Sequence, residues 1–385
     1  MIQESELLAL AADMQGWRRD IHRHPELGFK EHRTAEKVAA LLESWGIEVV
    51  ADFGGTTGVI GTLRGTRGTG VSLGLRADMD ALPMQENGHA EYRSIHDNVF
   101  HGCGHDGHTA ILLGVAKYLS SHKDFRGTVH FIFQPAEETL RGGSEMIRHG
   151  LFEQFPCDEI YALHNNNCVP AGKVGVRAGA ILSACDLFRI RIKGVGSHAA
   201  MPHKSVDPII IGSSIVQSLQ SVVSRNVDPF DAAVLSICKF HAGTAINVIA
   251  ETAQLEGTVR TLSKAAQALM LARLRAVCEG AAQTFGCEVT FEHLQSSPPT
   301  INTEAETDVV RRAAECVVGK GNVIVNADAL MASEDFAFML EQRPGSYFFL
   351  GHDGLTCHHP EFDFDDSSSS IGAGVFIQIV RQRLG

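Results

Sequence analysis

Two stretches near the N-terminus repeat their apolar residues at the spacing of an amphipathic helix. The first covers residues 5–23 and the second covers residues 31–45. Their apolar faces are formed by Leu7, Leu8, Ala11, Met14 and Trp17 in the first stretch, and by Ala35, Val38, Ala39, Leu42 and Trp45 in the second. The pattern therefore predicts two helices that each pack one face against a core.

Beyond these helices, short apolar runs alternate with a further helical stretch at His108–Leu119. The runs predict strands at Val59–Leu63, Val71–Leu75, Val129–Phe133 and Ile160–Leu163. Such alternation is typical of an α/β fold with a mostly parallel, helix-covered sheet. Ligands of such sheets bind beyond the carboxyl ends of the strands. Polar side chains directly follow three of the predicted strands, and they are Asp78, Asp80, Glu137, Glu138 and His164.

The rhythm changes near residue 184. Alternating patterns predict strands at 187–193, 233–240, 252–260 and 287–292, and helical patterns cover 208–223 and 264–284. These elements make a small α+β layer of ferredoxin-like type. Since candidate ligands occur on both sides of this layer, we interpret 184–295 as a domain inserted into a metal-binding catalytic domain formed by 1–183 and 296–385. A chain of 385 residues is also longer than one core usually serves.

Composition narrows the class of protein. Apolar residues make up 44% of the chain and glycines number 38, which fits a compact α/β protein. A net charge of −12 argues against nucleic acid as a partner. The N-terminus lacks signal-peptide features and no window holds eighteen uninterrupted apolar residues, so we expect a soluble, cytoplasmic protein without membrane contact. Nine cysteines at irregular spacing predict reduced thiols.

One loop concentrates metal-ligand chemistry. His101–His108 holds three histidines, a cysteine and an aspartate with glycines between them. Three further islands contribute carboxylates, a thiol and imidazoles, and they are Gln134–Glu138, Leu163–His164 and Cys357–Pro360. These donor types suit Zn²⁺, Mn²⁺, Co²⁺ or Ni²⁺. Because the candidates are scattered rather than paired as in a structural zinc site, we predict a hydrolytic site with one divalent ion, or two that share a bridge.

The adjacent glutamates Glu137 and Glu138 require separate roles. One carboxylate beside a metal can coordinate it, while its neighbour takes a proton from the attacking water and passes it to a leaving amine. We assign Glu137 as the general base and Glu138 as a ligand. The alternative is a solvated acidic pair at a helix start, where carboxylates suit the helix dipole.

The motifs together resemble the metallo-amidohydrolases related to aminoacylase and zinc carboxypeptidase. More narrowly, they are similar to the subgroup of hippurate hydrolase, auxin-conjugate (indole-3-acetyl-amino acid) hydrolase and N-acyl-amino-acid deacylases. The resemblance covers almost the full length and rests on the ligand loop, Gln134–Glu138, Ala162–His164, Arg19–Glu26, Leu75–Pro83, Gly196–His203, Gly257–Arg260, Ser333–Phe336 and His358–Pro360. It departs at Asn165–Cys168, where a turn of another sequence is usual, and at Ala250, where proline is common. Both departures concern the presumed substrate cleft, so acyl-group specificity is not carried over.

The resemblance implies a set of site residues. Its metal ligands are Cys103, His105, Glu138, His164 and His358, with His358 preferred to His359 because the family's ligand lies two residues before the proline. Asp78 would orient the loop, and Glu137 would be the acid/base. His198 on the inserted domain would bind the carbonyl oxygen as charge develops on it. Asn247 would hold the substrate carboxylate with help from Arg260.

The leading hypothesis is hydrolysis of N-acyl-L-amino acids, with hippurate-like, N-acetyl or aryl-acetyl groups, to a carboxylate and a free amino acid. The resemblance further implies a homodimer or higher homo-oligomer in which 184–295 serves as lid and dimerisation domain. Whether His198 acts within its own chain or across the dimer is left open. The alternatives are a dipeptidase or carboxypeptidase with the same site, a non-catalytic metal or small-molecule binding protein, and a hydrolase with Cys103 as nucleophile.

Overall fold

The computed structural model describes residues 4–385, and the side chains of residues 4, 5, 7 and 8 lie outside the described residues. Contacts divide the chain into two compact units. Unit 1 comprises the residues up to Ile181 together with Ile301–Asp328 and Asp335–Gly385, and unit 2 comprises Leu182–Thr300 and Ala329–Glu334.

The helices alternate with strands along most of the chain. In chain order the helices are Glu4–Arg23 (α1), His32–Ser44 (α2), His105–Ser121 (α3), Gly142–Arg148 (α4), Leu151–Gln154 (α5), Pro208–Asn226 (α6), Lys264–Phe285 (α7), Glu304–Val318 (α8), Phe336–Leu340 (α9) and Ser369–Leu384 (α10).

The strands vary in length, and the four longest lie in unit 2. In chain order they are Glu48–Phe53 (β1), Gly58–Arg64 (β2), Ser72–Asp78 (β3), Thr128–Gln134 (β4), Glu159–Asn166 (β5), Val174–Val176 (β6), Gly179–Leu182 (β7), Ala184–Lys193 (β8), Ser197–His198 (β9), Ala233–Ala242 (β10), Val248–Ile249 (β11), Thr252–Thr261 (β12), Glu288–Ser297 (β13), Thr300–Asn302 (β14), Val323–Val325 (β15) and Gly345–Gly351 (β16).

The main sheet of unit 1 has the order β1-β2-β4-β3-β5-β16-β6-β15. Its centre is parallel, because β3 pairs with β4 and β5 in parallel and β5 pairs with β16 in the same way. Antiparallel pairs occur toward the edges, between β1 and β2, β2 and β4, and β16 and β6. The central strands are buried almost throughout, as expected for strands covered on both faces. The predicted α/β class is confirmed.

The predicted N-terminal helices correspond to α1 and α2. Met14 of α1 and Val38 and Leu42 of α2 are fully buried, as the apolar spacing predicted. Leu7 and Leu8 were also placed on the α1 face, but their side chains lie outside the described residues. Trp17, Ala39 and Trp45 are partly buried against the same core, and Leu10 and Ile21 are buried although they were not assigned to the predicted faces.

Element boundaries near the site differ from the prediction. β3 continues to Asp78 instead of ending at Leu75, so Asp78 lies at the end of the strand rather than after it. β5 continues to Asn166, so His164 lies inside the strand rather than after it, because β16 pairs with β5 as far as Gly351 opposite Asn166. Helix α3 begins at His105 rather than His108, because Gly104 adopts a left-handed φ of 99° and turns the chain into the helix. The ligand loop thus feeds directly into the first turn of α3.

Unit 2 contains an antiparallel sheet in the order β10-β12-β8-β13. The chain order β8-α6-β10-β12-α7-β13 is the β-α-β-β-α-β arrangement predicted for this layer. Apolar side chains of α6, α7 and one sheet face form its core, including Ile215, Met270 and Phe188. β9 and β11 pair separately as a two-stranded ribbon. Within residues 4–385, no helix is both long enough and apolar enough to cross a membrane.

Candidate metal centre

The candidate site of unit 1 forms where adjacent strands of the central sheet end. β3 ends at Asp78, β4 ends at Gln134 just before the two glutamates, and β5 carries His164 near its end. These three strands are parallel neighbours, so their carboxyl ends lie at one edge of the sheet. Cys103 and His105 reach the same place from the loop that opens α3.

The structure brings together all five predicted ligands. The donor atoms of Cys103, His105 and His164 lie within 4.8 Å of one another, and so do those of Cys103, Glu138 and His358. The two triads share the Cys103 thiol. His105 also groups with Glu137 and Glu138. The overlap produces a single cluster of thiol, imidazole and carboxylate donors.

Two buried donor atoms in this cluster fit a cation. In the described part of the chain, His105 Nε2 and Glu138 Oε1 are buried without a hydrogen-bond partner. His358 Nε2 lies 3.4 Å from that Glu138 oxygen. Unpaired buried polar atoms are costly in a finished protein interior, so their convergence indicates a site for a positive ion.

Hydrogen bonds on the far side of each imidazole aim its free nitrogen into the cluster. His105 Nδ1 lies 3.0 Å from the carbonyl of Asp80 and 3.1 Å from its carboxylate. His164 Nδ1 donates to the carbonyl of Asn165 at 2.7 Å, and its Nε2 lies 3.4 Å from Cys103 Sγ. A proton fixed on Nδ1 leaves Nε2 as a lone-pair donor, which is the arrangement typical of metal-binding histidine.

Asp80 is a functional residue to which the sequence reasoning gave no role. Its carboxylate bonds His105 Nδ1 and also accepts the backbone N–H of Glu138 at 2.9 Å. It therefore orients two predicted ligands at once. The available signal was its position just after a predicted strand of a mostly parallel sheet, where ligand-binding side chains are expected.

Asp78 has different partners. Its Oδ1 accepts from His108 Nδ1 at 2.6 Å, and its Oδ2 accepts from Arg76 at 2.8 Å. Burial raises the pKa of Asp78, but His105, His108 and Arg76 outweigh that effect and hold it well below the ordinary value. The residue thus remains a buried anion beneath the cluster. It contacts the start of α3, whereas the direct hydrogen bond to His105 comes from Asp80.

The thiol of Cys103 is buried among acceptors. Its hydrogen bond with Cys357, then burial and the charge of Glu138, hold the pKa of Cys103 well above the ordinary value. A bound divalent cation has the opposite effect, since a coordinating thiol is deprotonated. The neighbouring thiol of Cys357 also donates to the Cys103 carbonyl at 3.6 Å.

The two glutamates occupy a short 3₁₀ turn, Glu137–Thr139. Non-glycine residues in the left-handed region stand on both sides of the turn, Ala136 at φ 56° and Leu140 at φ 52°. Glu137 is buried, with Oε2 at 3.8 Å from His105 Nε2. Left-handed conformations at non-glycine residues are strained and are frequent at functional sites. The turn thereby places two adjacent carboxyls near the same histidine.

The geometry separates the two C-terminal histidines. The N–H of His358 donates to the Gly102 carbonyl at 2.8 Å, which ties this segment to the ligand loop. His359 is half-buried, and its Nδ1 accepts from the Glu361 N–H at 3.1 Å. Only His358 takes part in the donor groups found among residues 4–385. This supports the choice of His358 over His359.

Within unit 2 the structure brings His198 and Asn247 together. His198 lies opposite Val248 in the β9–β11 ribbon, and the Ala199 N–H donates to the Asn247 carbonyl at 3.1 Å. Arg260 lies near the far end of β12, where it donates to Ser333 Oγ at 2.6 Å. At about 3.4 Å per residue, it lies roughly 25 Å along the strand from the end nearer Asn247. The structure therefore does not place Arg260 beside Asn247 within one copy of unit 2.

Comparisons with known proteins agree with the motifs. A sequence model of the peptidase family M20/M25/M40 matches residues 74–382. Hippurate hydrolase of Campylobacter jejuni is 38% identical over 380 residues, covering 98% of each chain. N-acetylcysteine deacetylase of Bacillus subtilis is 38% identical over 364 residues, covering 94% of each.

A solved structure of the same family is also similar to this protein. The crystal structure of the Bacillus subtilis YXEP protein, a dinuclear metal-binding peptidase from the M20 family, has a TM-score of 0.83 and 34% identity and covers 97% of this chain and 98% of that chain. The family resemblance and the hydrolase class predicted from the motifs are confirmed. With most of its length matched by the family model and nearly all of it by these relatives, the chain belongs to peptidase family M20/M25/M40.

Proposed function

We propose that this protein is a metal-dependent amidohydrolase that converts N-acyl-L-amino acids to a carboxylate and a free amino acid. The observation that carries the proposal is the cluster of five mixed donors around the buried, unpaired atoms of His105 and Glu138, with Glu137 beside them. Hippurate hydrolase and N-acetylcysteine deacetylase, the relatives described above, are named for substrates of this class.

Cys103, His105, Glu138, His164 and His358 would hold the metal. Five donors exceed the needs of one tetrahedral ion, which favours two ions, and the donor types fit Zn²⁺, Mn²⁺, Ni²⁺ or Co²⁺. When bound, such an ion supplies Lewis-acid chemistry and lowers the pKa of water.

Glu137 supplies the proton transfers in this proposal. Its carboxylate takes a proton from the attacking water and delivers it to the nitrogen of the leaving amine as the amide C–N bond breaks. Asp80 holds the adjacent Glu138 by its backbone N–H, so Glu138 is fixed independently of Glu137. Because the two glutamates are held by different contacts, separate roles for them are supported.

His198 is suited to stabilise the developing oxyanion. The Ala200 N–H donates to His198 Nδ1 at 3.0 Å, so Nδ1 is the acceptor and the ring proton is on Nε2. A neutral imidazole with its proton on Nε2 can donate to a carbonyl oxygen as negative charge develops there. Asn247, held in the same ribbon, would bind the substrate carboxylate.

The proposal includes a homodimer in which copies share substrate contacts. Arg260 and Asn247 lie at opposite ends of β12, so one copy does not present both to one small substrate. If both contact the substrate, His198 and Asn247 come from one copy and Arg260 from the other. β10 is an edge strand with Val234 and Phe240 exposed, and such an edge can pair with a twin.

A substrate panel tests the proposed function. Purified protein, with metal content measured by elemental analysis, is assayed with hippurate, N-acetyl amino acids, indole-acetyl amino acids and dipeptides. We expect at least one metal equivalent and release of free amino acid from one of the N-acyl classes, with loss of activity on chelation. Turnover of dipeptides alone would favour the carboxypeptidase alternative, which a relative named thermostable carboxypeptidase 1 from Saccharolobus solfataricus supports at 35% identity.

The other two alternatives have their own outcomes. A non-catalytic binding protein would hold metal and turn over no substrate of the panel, and it would have no need of a buried acid beside the donors. A Cys103 nucleophile would retain activity after chelation and lose it on alkylation.

A further inference from the structure

A buried glutamate outside the donor cluster holds the backbone that leads into Glu137. Glu31 precedes α2 and is 0% exposed, yet its side chain does not cap that helix. Instead, one carboxyl oxygen accepts the Ala136 N–H at 2.8 Å, and the other accepts the hydroxyl of Thr57. Both oxygens are thus used to join distant segments at the residue before the proposed acid/base.

Ala136 requires such support. Its φ of 56° and ψ of 39° lie in the left-handed region, which is strained for a residue with a Cβ. Ala136 is fully buried, and a Cβ on Gly28 would lie 3.0 Å from its Cα and Cβ. The peptide before Glu137 is therefore enclosed by Gly28 and bonded by Glu31.

We propose that Glu31 is a positioning residue: its carboxyl clamps the Ala136 N–H and so fixes the direction in which the Glu137 side chain leaves the backbone. The inference rests on the proposed acid/base role of Glu137. Without the clamp, Ala136 can relax toward the right-handed or extended region, which redirects the Cα–Cβ bond of the next residue. Glu138 keeps its separate anchor on Asp80, so ligand positions change less than the position of Glu137.

The contacts of this carboxyl are hydrogen bonds to neutral groups, the Ala136 N–H and the Thr57 hydroxyl. Among the described residues no lysine, arginine or histidine forms an ion pair with Glu31. Burial, reinforced by the charge of Asp80, raises the pKa of Glu31 to about 7. A glutamine keeps the clamp on Ala136, because its amide oxygen can accept the Ala136 N–H, and the Thr57 hydroxyl can turn to accept from the glutamine NH2 instead of donating.

The test compares Glu31→Ala with Glu31→Gln and with a matched control on the same helix. Glu26 accepts the N–H groups of Arg33 and Thr34 at the start of α2, so Glu26→Ala weakens that helix without touching Ala136. We expect Glu31→Ala to lower kcat roughly 10- to 100-fold with KM nearly unchanged, the size expected for a misplaced catalytic group. Glu31→Gln and Glu26→Ala should stay within about threefold of the parent kcat, and all should keep the parent's metal content.

One further measurement does not depend on turnover, and two further variants test the same contact through kcat. Hydrogen exchange in the metal-free protein should be faster at the Ala136 amide in Glu31→Ala and unchanged in Glu26→Ala. If Glu31→Ala does not fold, Gly28→Ala pushes on Ala136 from the other side and should lower kcat in the same way. Combining Glu31→Ala with Ala136→Gly should restore part of kcat, since glycine adopts left-handed backbone without strain.

The inference is overturned if Glu31→Ala has the parent kcat and the parent exchange rate, if Glu31→Gln is as impaired as Glu31→Ala, or if Glu26→Ala loses as much kcat. Glu137→Gln is run in parallel. Parental kcat in Glu137→Gln would defeat the proposed acid/base role, while the exchange rate at Ala136 would still report whether Glu31 holds the backbone.

Discussion

At the scale of single residues, the site depends on which atom of each side chain is left free. Asp80 holds both His105, through its Nδ1, and Glu138, through its backbone N–H. Each of the two residues also has one buried side-chain atom without a hydrogen-bond partner, His105 Nε2 and Glu138 Oε1. Glu137 lies in the same turn but is the first residue after a strained alanine. The different roles assigned to Glu137 and Glu138 therefore follow from the contacts that hold each residue, since both are glutamates.

Separate substitution of the two glutamates by glutamine tests whether Glu137 is the acid/base and Glu138 is a metal ligand. Glu137→Gln should keep the metal and lower kcat roughly 10²- to 10⁴-fold, because an amide cannot accept the proton. Glu138→Gln should weaken metal binding instead, since a charged donor is lost. Metal stoichiometry after dialysis and steady-state kinetics are measured on both variants. Metal loss in Glu137→Gln with full retention in Glu138→Gln would reverse the assignment.

Asp80 should control metal affinity without binding the metal itself. Asp80→Asn weakens the hydrogen bonds that orient His105 and Glu138, so the metal affinity should fall roughly 10- to 100-fold. Affinity is measured by competition with a chelating dye. Asp186→Asn, at a buried aspartate of unit 2 bonded to His293, is the matched control and should leave affinity unchanged. Equal affinities in parent and Asp80→Asn would remove Asp80 from the site.

Glu31 also predicts a pH dependence of stability. Its folded-state pKa of about 7 exceeds the ordinary 4.5, so between these values the folded protein binds the proton more tightly than the unfolded chain. The free energy of unfolding therefore falls as pH rises from 4.5 to 7, by at most about 3 kcal/mol from this group. Glu31→Gln lacks this loss.

Urea unfolding of the metal-free parent and Glu31→Gln measures the effect. The free energy of unfolding of the variant should rise relative to that of the parent between pH 5 and pH 8, with the same chelator concentration present at both pH values. A difference between the two proteins that is the same at both pH values would contradict the raised pKa.

Residue identities in the site were predictable because motif spacing preserves chemistry, and orientation was not. Cys103, His105, Glu138, His164 and His358 were named from sequence and lie in one cluster. The bond from Asp80 to His105 depends on which aspartate faces the loop, and Glu31 acts from a segment about a hundred residues earlier. The contact of Glu31 has no local signal in the sequence, and the position of Asp80 just after a predicted strand does not identify the side chain that it contacts.

At the scale of elements, periodicity located strands and helices better than their ends. β5 extends past His164 because its partner β16, almost two hundred residues later, continues the ladder. α3 starts early because Gly104 can take a φ that other residues avoid. Apolar runs mark where a strand is buried, whereas hydrogen-bonded partners decide where it stops.

At this scale we predict that the edge strand β10 forms the interface of the proposed dimer. Val234→Lys and Phe240→Lys place charge on this edge and should weaken the proposed dimer, moving the mass measured by light scattering toward that of the monomer. Leu294→Lys on β13, the opposite edge of the same sheet, is the matched control and should leave the mass unchanged. A monomer from Leu294→Lys alone would assign the interface to β13.

At the scale of the whole molecule, sharing between copies can be tested by mixing. Subunits carrying His198→Ala are exchanged with subunits carrying Glu137→Gln, each inactive alone. If His198 serves the neighbouring copy, mixed dimers contain one intact site and up to about a quarter of parental activity returns, assuming random pairing of a homodimer. No recovery despite verified subunit exchange would assign His198 to its own chain. The lid and dimerisation role of residues 184–295 stays a prediction until then.

The division of unit 1 along the chain has a consequence for biosynthesis. Four of the proposed ligands lie before unit 2 in the sequence, and His358 lies after it. At about 5–20 residues per second, His358 is synthesised on the order of ten to forty seconds after His164. During that interval the nascent chain offers Cys103 and His105 without the donor that completes the set. A metal ion that binds in this interval would therefore be held by an incomplete set of the proposed ligands.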